Sequence, residues 1–203
     1  LYELGAGADT FPSILSDDVA GNPIGWSALG ALSAKPGDPS TIYAASTRGV
    51  RGVSSVSGGG VSIIPGAPQW GLYKSTNGGA SWTFIHNGAP TPGVCTGDTA
   101  EATNGTPCSP RGVRRVVLDP QNPSIVYAGS YARGVWKSTD AGATWTQIHA
   151  ALVSSPTVTT ARPEIAVNVK NGKTVMYIAE GASGSPTARV FRTDDAQTAT
   201  PAS

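Results

Sequence analysis

From Trp26 onward, short runs of alternating apolar and polar residues return in a fixed order. Ala28-Leu29-Gly30-Ala31-Leu32 leads into a polar turn, Pro36-Gly37-Asp38-Pro39-Ser40, and then into Thr41-Ile42-Tyr43-Ala44-Ala45. The order returns as Arg115-Val116-Val117-Leu118, Asp119-Pro120-Gln121-Asn122-Pro123-Ser124 and Ile125-Val126-Tyr127-Ala128-Gly129. It returns again as Ile165-Ala166-Val167-Asn168-Val169, Lys170-Asn171-Gly172-Lys173-Thr174 and Val175-Met176-Tyr177-Ile178-Ala179. Period-two runs rich in Val, Ile and Tyr, broken by Pro, Gly, Asp and Asn, predict a strand, a turn and a second strand each time.

A second pattern follows each pair. Lys137-Ser138-Thr139-Asp140-Ala141-Gly142-Ala143-Thr144-Trp145 has an earlier copy, Lys74-Ser75-Thr76-Asn77-Gly78-Gly79-Ala80-Ser81-Trp82. A later copy, Arg192-Thr193-Asp194-Asp195-Ala196-Gln197, keeps the cation, the hydroxyl and the acid but lacks the Gly and the Trp. Asp or Asn can accept from amides a few residues on, and Gly supplies the positive φ of a tight turn. The aromatic before each cation (Tyr73, Trp136, Phe191) opens a strand, so the pattern predicts a hairpin. The predicted fold is all-β: an N-terminal strand and loop (1–25), four-stranded units at 26–86 and 113–149, a linking loop (87–112), and an incomplete unit at 163–203. The first unit holds an inserted loop at 47–70.

The motif S-x-D-x-G-x-x-W resembles the Asp-box, or bacterial neuraminidase repeat, of β-propellers such as sialidases, xyloglucanase-type glycoside hydrolases and sortilin-like receptors. The resemblance rests on Ser75, Asn77, Gly79 and Trp82 and on Ser138, Asp140, Gly142 and Trp145. It implies that each unit is a propeller blade, and that the motif is a folding device remote from the functional face. About three blades is fewer than the roughly four to eight that close a ring. The last unit also ends before a fourth strand, so the expectation is a partial propeller completed by other polypeptide. Closure by Leu1–Leu4 is the alternative.

Composition narrows the class. With 39% hydrophobic and 13% charged residues among 203, the chain can build a core. A formal net charge of +1 argues against nucleic acid as a partner, and no apolar run is long enough to span a membrane. Cys95 and Cys108, in one polar loop, read as a disulfide, which places the protein outside the cytoplasm, secreted or periplasmic. Two cysteines with no His at ligand spacing do not make a metal site, and no cofactor is expected.

Function is sought on the loops opposite the Asp-boxes. The 47–70 insertion and the Cys95–Cys108 loop both belong to that end, where binding on rigid scaffolds usually resides. Arginines collect there: Arg48, Arg51, Arg114, Arg133 and Arg162 are the ligand-binding candidates, with Arg111 nearby. Arg suits a carboxylate, sulfate or phosphate, so the expected partner is a protein or a glycan, with an anionic ligand in view. The competing reading pairs these arginines with Asp98, Glu101 and Glu164. Catalytic residues are unknown; Glu164 and Arg162 are the weak candidates, because they open a predicted inner strand.

Three function classes follow. The first is a non-catalytic extracellular binding or assembly module. The second is part of a sialidase-like or other glycoside hydrolase. The third is one protomer of an assembly completed by neighbouring chains. The Arg-Ile-Pro signature of sialidases is absent, and hydrolysis ordinarily needs a second carboxylate beside Glu164. His86 and His149, each four residues after the motif Trp, read as repeat-equivalent strand-end residues.

Overall fold

The computed structural model describes residues 27–48, 70–90, 108–109, 111–151, 161–181 and 188–200. The regular elements among them are all strands, arranged as three antiparallel sheets. Sheet 1 holds β1 (Ser27–Lys35), β2 (Asp38–Arg48), β3 (Leu72–Ser75) and β4 (Thr83–His86) in sequential order. Sheet 2 repeats that order with β5 (Val113–Leu118), β6 (Val126–Ser130), β7 (Gly134–Ser138) and β8 (Thr146–His149). Sheet 3 has β9 (Arg162–Lys170), β10 (Lys173–Gly181) and β11 (Arg189–Thr193).

Register sets equivalent residues opposite equivalent partners in the three units. Tyr43 pairs with Lys74, Tyr127 with Lys137 and Tyr177 with Arg192, so one tyrosine–cation pair recurs in every sheet. The sequence periodicity fixes which side chains face which neighbour. Tyr43, Ala45, Leu72 and Ile85 of sheet 1 meet Val113, Val116, Leu118, Val126, Ala128, Trp136 and Trp145 of sheet 2. The other face of sheet 2, through Tyr127, Val135 and Ile148, meets Ile165, Met176 and Ile178 of sheet 3. The core is thus two apolar layers, each sandwiched between successive sheets.

The turns that close the sheets also join them. In the β7–β8 turn, Ser138 Oγ donates to Asp140 Oδ1 (2.7 Å) and accepts from the amide of Gly142 (2.8 Å). Asp140 Oδ1 also accepts from the amide of Thr144 (2.8 Å), and Trp145 Nε1 donates to Gly142 O (3.2 Å). The β3–β4 turn repeats this, with Gly79 donating to Ser75 Oγ (2.9 Å) and Ser81 to Asn77 Oδ1 (2.9 Å). Asn77 Nδ2 donates to Ser81 Oγ, whereas Thr144 Oγ1 donates to Asp140 Oδ2: one geometry serves an amide and an acid with the donor reversed. The turn after β11 keeps a trace, the Asp195 amide donating to Thr193 Oγ1 (3.3 Å).

All three turns are tied back to the second strand or its approach. Gly78 donates to Ser40 O (2.9 Å), Ala141 to Ser124 O (2.9 Å) and Ala196 to Thr174 O (2.7 Å). Each of the later two turns also lies on the preceding sheet. Lys74 Nζ and Tyr43 OH donate to Ala141 O (2.9 and 3.2 Å), and Trp145 Nε1 donates to Ile85 O (3.0 Å). Lys137 Nζ donates to Gln197 O and Ala199 O, both at 2.7 Å. Gly142 is required at its turn: its φ is +97°, and a Cβ there would come within 2.7 Å of Ile85 Cδ1.

Candidate functional site

The crossovers between strands gather at the sheet ends away from these turns. Ser46 pins both ends of the first crossover, its amide donating to Gly71 O (2.7 Å) and its Oγ accepting from the Gly71 amide (3.0 Å). The second is closed by Ser109, whose amide donates to Asn87 O (2.9 Å). An isolated bridge between Thr47 and Gly112 links the two, and Tyr131 donates its amide to Gly112 O (3.0 Å). The third joins in through the Ala132 amide and Ala161 O (3.0 Å). Residues 49–69, 91–107 and 152–160, which follow these anchors in the chain, lie outside the described residues, and with them Arg51, Cys95, Asp98 and Glu101. Cys108 is buried, and no free cysteine occurs among the described residues.

Arg114 and Glu164 form an ion pair between β5 and β9, each side chain about two-fifths exposed. A β-bulge makes this contact. The register of β5 slips between Val113 and Arg115, inserting Arg114. The equivalent slip in β1, between Leu29 and Ala31, inserts Gly30, and β9 pairs with β10 through the same positions without a slip. A bulge re-aims its extra side chain, and here it carries the guanidinium across to the neighbouring sheet. Arg114 Nη1 also donates to Tyr131 OH (3.4 Å); that hydroxyl first and Glu164 second hold the guanidinium protonated.

The other candidates spread around this pair. Arg162 is exposed at the start of β9, on the same face of the strand as Glu164. Arg133 is half-buried and donates to Ala132 O (2.9 Å); burial lowers its pKa. Arg48 ends β2, its backbone in register with Ser27, and its side chain lies outside the described residues. The arrangement is a charge-paired centre flanked by Arg162, which has no ion pair among the described residues. The nearest acid in register, Glu180, follows Ala179, the partner of Glu164, and therefore points to the opposite face. Its buried carboxylate lies 3.0 Å from His149 Nε2. Among the described residues, no three His, Cys, Asp or Glu groups cluster to hold a metal.

No family model matches the chain, and no curated protein matches it. The site is therefore read from its own geometry.

The two histidines occupy equivalent places with different partners. His86 is fully buried and stacks on Trp145 (4.4 Å between centroids), and its Nε2 accepts from the Gly88 amide (3.0 Å) and faces Ser130 Oγ (3.1 Å). Burial pushes its pKa down to about 3, opposed weakly by the Ala89 backbone, so it is a neutral packing group at ordinary pH. His149 instead meets Glu180, the register equivalent of Ser130.

Sequence reasoning treated Asp119 as a turn acid, and here it does more. It is buried and accepts from Tyr127 OH (2.9 Å), Gln197 Nε2 (2.9 Å), Thr174 Oγ1 (3.1 Å) and the amides of Gln121 (2.9 Å) and Asn122 (3.0 Å). Desolvation is the strongest single influence and pushes its pKa up. Donation by Gln197, Gln121, Tyr127 and Thr174 outweighs it, and the net shift is downward. No local signal marks it: Asp119 opens the exposed polar turn that runs on to Ser124, and Tyr127, Thr174 and Gln197 are brought to it only by the fold.

Proposed function

We propose that this chain is a portion of an extracellular Asp-box β-propeller that serves as a non-catalytic binding module, its ligand meeting the crossover end. Three features support the propeller reading: the recurrent Ser-Asp/Asn-Gly-Trp turns, the docking of each later turn on the sheet before it, and the position of β5 against both β1 and β9. Export follows from the proposed Cys95–Cys108 bridge.

One observation carries the binding reading: the carboxylate of Glu164 is committed to Arg114. Glycoside hydrolysis ordinarily uses two carboxyl groups flanking the scissile bond, one of them able to deliver a proton. Glu164 is paired with a cation, and Glu180 is on the other face of the sheet. Arg162 remains exposed beside the pair, without an ion pair among the described residues, and suits an anionic group on a glycan or protein.

The test uses two probes on one preparation. Calorimetric titration with a heparin oligosaccharide is expected to show binding that weakens about tenfold or more in Arg162→Ser. A panel of 4-methylumbelliferyl glycosides is expected to show no turnover. Fluorophore release by the wild type that disappears in Glu164→Gln would overturn the reading in favour of a hydrolase.

A further inference from the structure

Three charged side chains meet near the starts of β5 and β9, and they are unevenly bonded. Glu164 follows Arg162 by two residues on one face of β9, about 7 Å along the strand, and its Oε1 accepts from Arg114 Nε of the neighbouring sheet. It therefore stands between a cation that it holds and one that it does not. The contact uses one nitrogen and one oxygen, without the two parallel bonds that make an Arg–carboxylate pair strong. Arg114 Nη1 reaches Tyr131 OH at 3.4 Å, and Nη2 has no bond among the described residues. Both side chains are open to water, 41% for Arg114 and 43% for Glu164. An ion pair so exposed adds little to stability and is readily exchanged.

The fold does not require the pair. Sheets 2 and 3 are already joined by the apolar layer of Tyr127, Val135, Ile148, Ile165, Met176 and Ile178. The bulge does not require an arginine either, since the equivalent slip in β1 inserts Gly30, which brings no side chain. Room remains beside the second cation: Gly181, the register partner of Arg162, stands where sheet 2 has Tyr131. We infer that Glu164 is an internal competitor at the anion site. In the free protein it occupies Arg114; the sulfate or carboxylate of an acidic saccharide displaces it and is held by Arg114 and Arg162 together, while the Glu164 carboxylate turns to solvent. Arg114 can then offer two parallel N–H donors to the incoming oxygens, which Glu164 does not use. The inference rests on the binding reading and supplies its regulation, because only an anion that outcompetes Glu164 gains the second arginine.

Calorimetric titration with two probes tests it, a hyaluronan oligosaccharide carrying carboxylates alone and a dextran sulfate oligosaccharide carrying sulfates alone. Glu164→Gln is expected to bind at least one of them about fivefold more tightly than the wild type, with an unchanged circular dichroism spectrum. The probe that gains identifies the group that Glu164 excludes. Glu164→Ala is a second variant with the same expected gain. In an Arg114→Gln background the Glu164→Gln gain is expected to vanish, because no guanidinium is left to release. A gain that persists without Arg114 would reflect only the loss of a negative charge and would overturn the inference, as would Glu164 variants that bind no more tightly than the wild type. Wild-type heparin binding that depends on Arg162, with no gain in Glu164→Gln, keeps the binding reading and discards this one. Absence of binding by the wild type and by Glu164→Gln alike discards both.

Discussion

The two sheet–sheet junctions are built on the same repeat and held by different chemistry. Between sheets 1 and 2, Trp145 is buried and bonded to Ile85 O, and His86 stacks against it as a neutral ring facing Ser130. Between sheets 2 and 3 the turn has no Trp. Gln197 and Thr174 converge on the buried carboxylate of Asp119, and the equivalent histidine meets the acid Glu180. Where the apolar anchor is missing, a polar network centred on Asp119 stands in its place. The first junction is therefore governed by packing, the second by buried charge.

The largest effects come from removing the anchors. Trp145→Ala is expected to cost about 3–5 kcal/mol through cavity formation and loss of the hydrogen bond to Ile85 O. Asp119→Ala is expected to cost about 3 kcal/mol, since it strands Tyr127, Thr174 and Gln197 without their acceptor. Urea unfolding at neutral pH measures both, and equal, small effects would erase the distinction between the junctions. Acid separates them further. The folded pKa of Asp119 is depressed, so its contribution is full above the unfolded value near 4 and is lost as pH falls through the lower folded value. Asp119→Asn is expected to flatten that acid limb.

His86 acts at higher pH. Below about 6.5 the unfolded chain takes up a proton that folded His86 refuses until about pH 3, so stability falls as pH drops through this window. At pH 5 the penalty is roughly 2 kcal/mol relative to pH 7.5, and His86→Phe is expected to abolish it. Ser130→Glu sharpens the comparison by giving the first junction the acid of the second. Its expected result is an upward move of the His86 titration, followed by NMR. The smallest effect is reserved for an exposed turn. Asp140→Asn reproduces the Asn77 turn and is expected to change stability by less than about 1 kcal/mol. It also removes a carboxyl held down at about pKa 2, where burial is outweighed by bonds from Thr144, Ser138 and Ala143.

What the sequence made legible were features with local causes. Alternation and turn chemistry located the strands around Tyr43, Tyr127 and Tyr177, and the Ser-Asp-Gly-Trp pattern located the hairpins, because neighbours a few residues apart determine both. The equivalence of His86 and His149 was visible by counting from Trp82 and Trp145, but their different partners were not, since Ser130 and Glu180 belong to the next sheet. Arg114 shows the same limit. Alternation alone directs it toward sheet 1, and only the bulge at that position turns it to Glu164. Asp119 resembled an ordinary turn residue because the Gln121 and Asn122 amides are local, whereas the other three of its five donors, Tyr127, Thr174 and Gln197, are brought to it by strand pairing and a distant turn.

The central proposal, that these sheets radiate from neighbouring inner strands as consecutive blades, is tested most directly by spin-label distances. Labels at Ser33 on β1 and Arg115 on β5 report the inner strands, and labels at Thr83 on β4 and Thr146 on β8 report the outer ones. The account predicts strong dipolar broadening for the inner pair and a clearly longer, resolved distance for the outer pair. Equal separations would describe a flat stack of sheets and would contradict it.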